Sequence, residues 1–123
     1  MNLVDSSGWL EYLSDSKNAD SFAVPLNDIK NVIVPTICIY EVFKVVLREK
    51  GENQALQSVA LMKQGNVIDL TFEVSIQSAR FSLDNKIPMA DSIIYATAQI
   101  YKAVIWTQDD DFKDLPGVKY FST

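Results

Sequence analysis

The chain has 123 residues, of which 48% are hydrophobic and 22% are charged, a length and composition typical of one globular domain spanning residues 1–123. It contains no histidine and a single cysteine, Cys38, which excludes histidine-dependent catalysis, histidine-ligated zinc sites and an internal disulfide bond. The 16 acidic and 11 basic residues give a net charge of −5, the wrong sign for a protein that binds nucleic acid through a broad basic surface.

Apolar runs and helical patterns alternate along the first half of the chain. In chain order they predict a strand over Asn2–Val4, short helices around Trp9 to Leu13 and Phe22 to Leu26, a strand over Val32–Val34, and helices over Thr36–Lys50 and Asn53–Met62. Pro35 and Gly51 are the expected start and stop signals of the longest of these helices.

The second half continues the alternation. It predicts a strand over Val67–Leu70, helices from Thr71 to about Asp84 and from Pro88 to about Lys102, a strand over Val104–Trp106 and a candidate fifth strand over Val118–Phe121. Short strands joined by helices of crossover length predict a three-layer α/β fold, with a central, mostly parallel sheet of four to five strands and helices on both faces.

Two features of the sequence predict the compartment. Residues Met1 to Leu10 lack the basic flank and the long apolar stretch of a signal peptide. The longest nearly apolar run, Val32 to Tyr40, is about half as long as a membrane-spanning helix requires. Together with the lone cysteine, these features predict a cytoplasmic protein without a membrane partner.

Acidic residues follow two of the predicted strands. Asp5 closes the first strand, and Asp109, Asp110 and Asp111 come after the fourth. In parallel sheets ligands bind beyond the carboxyl ends of the strands, which is where these acids would lie. Each position has a simpler interpretation as well, since Asp5 is suited to cap a helix and an aspartate run is typical of a solvated turn.

Two further acids lie on apolar faces of predicted helices. Glu41 shares a helical stripe with Cys38 and Val45, and Asp91 lies one turn from Ile94. An unpaired carboxylate in such surroundings is costly. The alternatives are that Glu41 reaches water at the rim of the stripe and that Asp91 interacts with the start of its helix.

Taken together, the four acidic positions favour a shared site over coincidence. Like-charged carboxylates that meet within a few ångström raise one another's pKa and require a cation between them. Ligand sets made only of oxygen select a hard cation such as Mg²⁺ or Mn²⁺. We therefore expect a divalent-metal site at the carboxyl edge of the sheet.

Four segments of the chain match the motifs of one family in order and spacing. They are Asn2–Ser7, Pro35–Val42, Ile87–Ala98 and Trp106–Phe112. With these segments the chain resembles the PIN-domain ribonucleases, and among them the VapC toxins of bacterial and archaeal toxin–antitoxin pairs. The resemblance implies an Mg²⁺- or Mn²⁺-dependent endoribonuclease that hydrolyses RNA with a metal-activated water, an antitoxin as its protein partner, and a homodimer.

The same resemblance implies roles for individual residues. Asp111 is an additional candidate ligand or support, and Asp110 receives no role. Ser6 and Thr107 match hydroxyl positions beside the pocket, where they would orient a carboxylate or a bound water, with capping at the strand ends as the alternative. The expected metal ligands and catalytic acids are Asp5, Glu41, Asp91 and Asp109.

Contacts to the RNA backbone would come from a few basic residues. Lys44 and Arg48 lie one turn apart on the predicted helix that carries Glu41, so they are candidates for binding phosphates beside the site. The alternative is an ordinary solvated helix face.

The sequence is also compatible with two other classes of function. A receiver-type signalling domain has a similar size and an acidic pocket, and Asp69 would then be its phosphate acceptor, although that class does not explain Glu41 or Asp91. A non-catalytic interaction module that binds a metal only for folding would be stabilised by the metal without cleaving RNA.

Overall fold

Six α-helices and five β-strands alternate along the chain in the computed structural model, which describes residues 1–123. The strands are β1 (Asn2–Val4), β2 (Val32–Pro35), β3 (Asn66–Ile68), β4 (Val104–Thr107) and β5 (Val118–Tyr120). The helices are α1 (Ser6–Leu13), α2 (Ala19–Leu26), α3 (Thr36–Lys50), α4 (Glu52–Met62), α5 (Phe72–Asn85) and α6 (Met89–Tyr101). Two short 3-10 helices cover Ile29–Asn31 and Asp110–Phe112.

The strands form one sheet in the order β3-β2-β1-β4-β5. Every pair of neighbouring strands is parallel, so the predicted, mostly parallel sheet of four to five strands is a wholly parallel sheet of five. From β1 the chain proceeds outward to β2 and β3, and it then crosses to β4 and β5 on the other side. The strand order therefore reverses between β1 and β4, which is the position where open α/β sheets bind their ligands.

Local sequence signals account for the bounds of the helices. Pro35 has an extended backbone and precedes the first residue of α3, and Gly51 ends that helix with a φ of 89°, a conformation that glycine adopts without strain. The Thr71 side chain accepts a hydrogen bond from the backbone N–H of Val74 and caps α5. These start and stop positions confirm the predicted helices.

The hydrophobic core is a cluster of 19 buried residues between the sheet and the helices. The three inner strands β1, β2 and β4 contribute most of their residues to it, as expected for strands covered on both faces. The largest side chains that are fully buried are Trp9, Phe22 and Phe112, and burial of each such side chain contributes roughly 2–3 kcal/mol to folding. Phe112 closes the turn after β4, so the core fixes the segment that carries the aspartate run.

Gly8 allows α1 to lie directly against the core. A Cβ atom at this position would lie 2.6 Å from Val4 Cγ1 and 2.7 Å from Phe22 Cδ1, closer than packed side chains approach each other. Only glycine therefore permits the first turn of α1 to approach β1 and α2 at this distance. The first turn of α1 is also where Asp5 is held.

The edges of the sheet depart from the predicted strands. The prediction of Val67–Leu70 is wrong in its bounds, because β3 starts one residue earlier and ends at Ile68. β3 pairs only with β2, and two of its three residues are exposed, so its apolar residues extend past the paired stretch. At the other edge β5 ends at Tyr120, one residue before the predicted end. No helix combines the length and the hydropathy needed to cross a membrane.

Candidate metal centre

Asp5 lies at the carboxyl end of β1 and caps α1. Its Oδ1 atom accepts hydrogen bonds from the Ser7 hydroxyl at 2.7 Å and from the backbone N–H of Gly8 at 3.0 Å. The residue is only 2% exposed. The helix cap that the sequence offered as an alternative role is therefore present, but its side chain also faces the neighbouring strand.

Thr107 connects Asp5 to the segment after β4. Its hydroxyl donates a hydrogen bond to Asp5 Oδ2 at 2.6 Å and accepts one from the backbone N–H of Asp109 at 2.9 Å. Thr107 is fully buried, so this hydroxyl has no access to bulk water. Each oxygen of the Asp5 carboxylate thus has a fixed donor, and the position of Asp109 depends on the same threonine.

Burial raises the pKa of Asp5 from 3.8 to about 6. The bonds from Thr107, Ser7 and Gly8 lower it, and the nearby charge of Asp109 raises it further. The acids after β1 and β4 therefore influence each other, consistent with the hydrogen bonds that join both of them to Thr107.

Asp91, Asp109 and Asp111 form a compact cluster, here called the acid trio. One carboxylate oxygen from each lies within 4.8 Å of the others, an arrangement that can hold a metal ion. Asp91 comes from the first turn of α6, while Asp109 caps the second 3-10 helix and accepts the backbone N–H of Asp111 at 2.9 Å. No set of three carboxylates that includes Asp5 or Glu41 reaches the same spacing.

The pKa of Asp91 is raised from 3.8 to about 8, first by burial and then by a hydrogen bond with the carboxyl group of Asp111. The charges of Asp109, Asp111 and Glu41 raise it further. Asp91 therefore retains its proton where an isolated aspartate would lose it. A cation among these oxygens would reverse that preference, because opposite charge favours the ionised carboxylate.

Glu41 lies on α3, outside the trio. The Ser6 hydroxyl donates a hydrogen bond to Glu41 Oε1 at 2.6 Å. The charge of Glu41 contributes to the raised pKa of Asp91, so the two acids influence each other although Glu41 lies outside the trio. Ser6 and Ser7, which are consecutive in α1, thus contact two different carboxylates.

Cys38 also lies in this region, although from the sequence we expected it only to be an apolar neighbour of Glu41. Its thiol is fully buried, and burial raises its pKa, with additional contributions from the charges of Asp5, Glu41 and Asp91. One side chain therefore lies near acids from β1, α3 and α6. The sequence contains one signal for the position of Cys38 near the acids. Cys38 and Glu41 are three residues apart in α3, and residues with that spacing share a helix face.

Two acids lie outside the cluster. Asp110 is exposed and accepts a hydrogen bond from the Tyr120 hydroxyl, so it is separated from its neighbours in the aspartate run. Asp69 is exposed just beyond the end of the edge strand β3. It is not part of the trio, which removes the basis for a phosphate acceptor at that position.

Lys44 and Arg48 lie on the exposed face of α3. Lys44 Nζ is 3.5 Å from the Tyr40 hydroxyl, and Arg48 forms an ion pair of 3.5 Å with Glu49. No ion pair joins either residue to the acidic cluster. Their contact with a phosphate backbone stays a prediction.

The sequence and the fold were compared with known proteins. The family model of the PIN domain matches residues 3–118. A comparison with curated protein sequences found no match.

Several solved structures share the fold over nearly the whole chain. A toxin–antitoxin complex from Klebsiella pneumoniae is 20% identical with a TM-score of 0.83, and the alignment covers 100% of both chains. VapC20 of Mycobacterium tuberculosis, a toxin that cleaves the sarcin-ricin loop, is 16% identical with a TM-score of 0.79 and coverage of 96% and 97%. DNA-bound VapBC from Salmonella typhimurium is 14% identical with a TM-score of 0.78 and coverage of 99% and 98%.

Proposed function

The chain belongs to the PIN domain family, and from this premise we propose that it is a metal-dependent endoribonuclease that acts as the toxin of a toxin–antitoxin pair. The observation that supports the proposal best is the acid trio, whose carboxylate oxygens lie within 4.8 Å of one another beyond the carboxyl end of β4, with Asp5 and Glu41 on neighbouring elements. Asp5 follows β1, Glu41 lies on α3, Asp91 lies on α6 and Asp109 follows β4.

These residues fit a hard divalent cation. The acid trio offers three carboxylate oxygens at ligand spacing, and no nitrogen or accessible thiolate competes with them, since the chain lacks histidine and Cys38 is buried. Oxygen ligands of this kind suit Mg²⁺ or Mn²⁺. The proposed ligands are Asp5, Glu41, Asp91 and Asp109, with Asp111 as an additional one.

A bound divalent cation supplies an activated water and neutralises charge on the scissile phosphate. The residues of the chain would prepare the site for this chemistry. Thr107 and Ser7 fix the two oxygens of Asp5, and Ser6 orients Glu41. Asp111 is the most exposed member of the trio, and if it does not bind the cation, its carboxylate would accept a proton from the attacking water.

The absence of histidine supports hydrolysis by water over attack by a ribose hydroxyl. Activation of a 2′-hydroxyl commonly relies on a histidine base, and the chain contains none. We therefore expect cleavage by hydrolysis with a 5′-phosphate on the product, as the resemblance to this family implies.

The proposal includes a protein partner. Two of the similar structures are described as a toxin–antitoxin complex and as a DNA-bound VapBC assembly, and we infer by analogy that this chain binds an antitoxin and forms a homodimer in the cytoplasm. The analogy applies to the whole chain, because each alignment covers 98% or more of this chain and of the matched chain.

Incubation of the purified protein with RNA tests the proposal. Freed of antitoxin, it should cleave RNA in the presence of Mg²⁺ or Mn²⁺, and EDTA should stop the reaction. Asp91→Asn should be inactive while it remains folded, whereas the matched variant Asp69→Asn should cleave as the wild type does. Activity that survives EDTA, or metal-dependent stabilisation without any cleavage, would contradict the proposal, and the second result would favour an interaction module.

A further inference from the structure

Two pairs of a tyrosine and a lysine lie on elements that carry acids described above, one on α3 with Glu41 and one at β5, hydrogen-bonded to Asp110. On α3, Tyr40 immediately precedes Glu41 and is 59% exposed. Lys44 Nζ lies 5.6 Å from the centre of the Tyr40 ring. One turn of helix therefore presents an aromatic face and an ammonium group to solvent, on the helix that carries Glu41.

The second pair lies at the end of β5. Tyr120 is aligned with Thr107 of β4, and aligned residues on neighbouring strands point to the same face of a sheet. Its hydroxyl donates a hydrogen bond to Asp110, and Lys113 Nζ lies 5.7 Å from the centre of its ring. Tyr120 thus stands on the same sheet face as the threonine that holds Asp5.

The two pairs lie on opposite sides of the point where the strand order reverses. Tyr40 belongs to the helix that follows β2, and Tyr120 belongs to β5. The strand order places β1 and β4 between them, which separates β2 from β5 by three strand spacings, or about 14 Å. A single-stranded segment that ran from α3 to β5 at this edge would cross the carboxyl ends of β1 and β4, which Asp5 and Asp109 follow.

A third lysine–aromatic contact has a structural role instead. Lys119 Nζ lies 4.4 Å from the centre of the Trp106 ring, but Trp106 is 9% exposed, stacks on Phe121 and donates a hydrogen bond to Asn2. Its ring is occupied within the fold. Tyr40 and Tyr120 have no aromatic partner, so neither ring is stacked on another ring within the fold.

The chemistry of both pairs suits a nucleic acid strand. Aromatic rings stack on bases whatever their identity, and ammonium groups contact phosphates. A protein with a net charge of −5 needs local cations of this kind to hold a polyanion close to its carboxylates.

We propose that the Tyr40–Lys44 and Tyr120–Lys113 pairs bind single-stranded RNA on the two sides of the acid cluster, each ring stacking on a base and each lysine contacting a phosphate. This inference rests on the proposed ribonuclease function. From the sequence, the candidates for RNA contact were Lys44 and Arg48. The proposal adds Tyr40, Tyr120 and Lys113 and leaves out Arg48, which is paired with Glu49.

Kinetics of an RNA oligonucleotide test the two rings. Tyr40→Leu and Tyr120→Leu should each raise KM roughly tenfold with kcat nearly unchanged, because a stacked base is lost. Tyr40→Phe and Tyr120→Phe should keep KM near the wild-type value, since each retains its ring. Tyr101→Leu is the matched control, because Tyr101 is exposed at the far end of α6, about 15 Å from the first turn. Equal KM values for the leucine variants and the wild type would overturn the proposal.

The salt dependence of RNA binding tests the two lysines. Binding is measured by fluorescence anisotropy in the cleavage-inactive Asp91→Asn background, which makes it independent of catalysis. Lys44→Gln and Lys113→Gln should each reduce the slope of log K against log salt by about 0.7, whereas the exposed control Lys63→Gln should leave it unchanged. Unchanged slopes would refute the lysine contacts. A wild type that binds RNA through these residues but does not cleave it would contradict the proposed function alone, and a wild type that does not bind RNA would overturn both.

Discussion

Thr107 Oγ1 lies 2.6 Å from Asp5 Oδ2, although 102 positions separate the two residues in the sequence. The contact joins the ends of β1 and β4 beneath the candidate site. Because the same threonine accepts the backbone N–H of Asp109, one hydroxyl positions acids on both strands. This relationship makes Thr107 the first residue to test.

Thr107→Val should reduce both stability and cleavage. The variant preserves the shape of the side chain but leaves Asp5 Oδ2 and the N–H of Asp109 without their partner, at a cost of about 1–3 kcal/mol for a buried polar group. Urea unfolding followed by tryptophan fluorescence measures this loss. Thr107→Ser, which retains the hydroxyl, is the control, and a valine variant as stable and active as the serine variant would contradict the role assigned to this hydroxyl.

In EDTA, the free energy of unfolding should fall as the pH rises. Asp5 and Asp91 have pKa values of about 6 and about 8 in the folded state, compared with 3.8 for an unperturbed aspartate. The folded protein therefore binds protons more tightly than the unfolded chain, and such a protein loses stability as those protons are released. Asp5 contributes to the decline up to about pH 6 and Asp91 up to about pH 8.

The variant Asp91→Asn separates the two contributions. An amide does not ionise, so the stability of this variant should change little above pH 6 while the wild type continues to lose stability up to about pH 8. Asp69→Asn, which changes an exposed acid outside the trio, should follow the wild type. Parallel curves for the wild type and Asp91→Asn would show that Asp91 is not crowded by other acids.

Divalent cations should stabilise the fold in a way that depends on the trio. Saturation at 100 times the dissociation constant contributes about 2.7 kcal/mol, and the effect should be larger at pH 8 than at pH 5 because protons compete for the same oxygens. Thermal unfolding with and without Mn²⁺ measures it. Asp109→Asn should abolish the shift, whereas Asp110→Asn should retain it, since Asp110 lies outside the trio. An equal shift in both variants would place the cation elsewhere.

The Cys38 thiol should resist modification in the native protein. It is fully buried, and its pKa is raised by burial and by nearby acids, so the reactive thiolate is scarce. Labelling with a chromogenic disulfide should proceed at the rate at which the chain unfolds and should be rapid in urea. Fast labelling of the native protein, at a rate independent of its stability, would mean that the thiol is accessible.

Most of the fold could be predicted because its signals are local. Gly51 at the end of α3 and Thr71 at the start of α5 act through their own backbone and side-chain chemistry, and a single sequence displays both. The bounds of β3 could not be predicted in the same way, because the apolar run continues to Leu70 while the pairing with β2 ends at Ile68. Where an edge strand ends depends on its neighbour and not on its own residues.

The sequence indicated which elements carry the acids of the candidate site, but not which of these acids come within ligand distance, since the compact set is Asp91, Asp109 and Asp111. The patterns that placed Glu41 and Asp91 on apolar faces also describe where both residues lie in the structure. Which member of the aspartate run points away depends on the 3-10 turn at Asp110 and on the distant hydroxyl of Tyr120. The position of Cys38 among three acids likewise depends on how β1, α3 and α6 pack, which local patterns do not specify.

Because β1 pairs with β4, the candidate site can form only after both strands have been synthesised. During synthesis the ribosome releases Asp5 first, yet its partner Thr107 and the neighbouring Asp109 emerge only within the last fifth of the 123 residues. Until then β1 has no neighbour on that side, and contacts this distant in sequence form late in folding. A nascent or truncated polypeptide that lacks β4 therefore lacks Thr107 and Asp109, and the carboxylates of the site assemble only after the chain has been synthesised past β4.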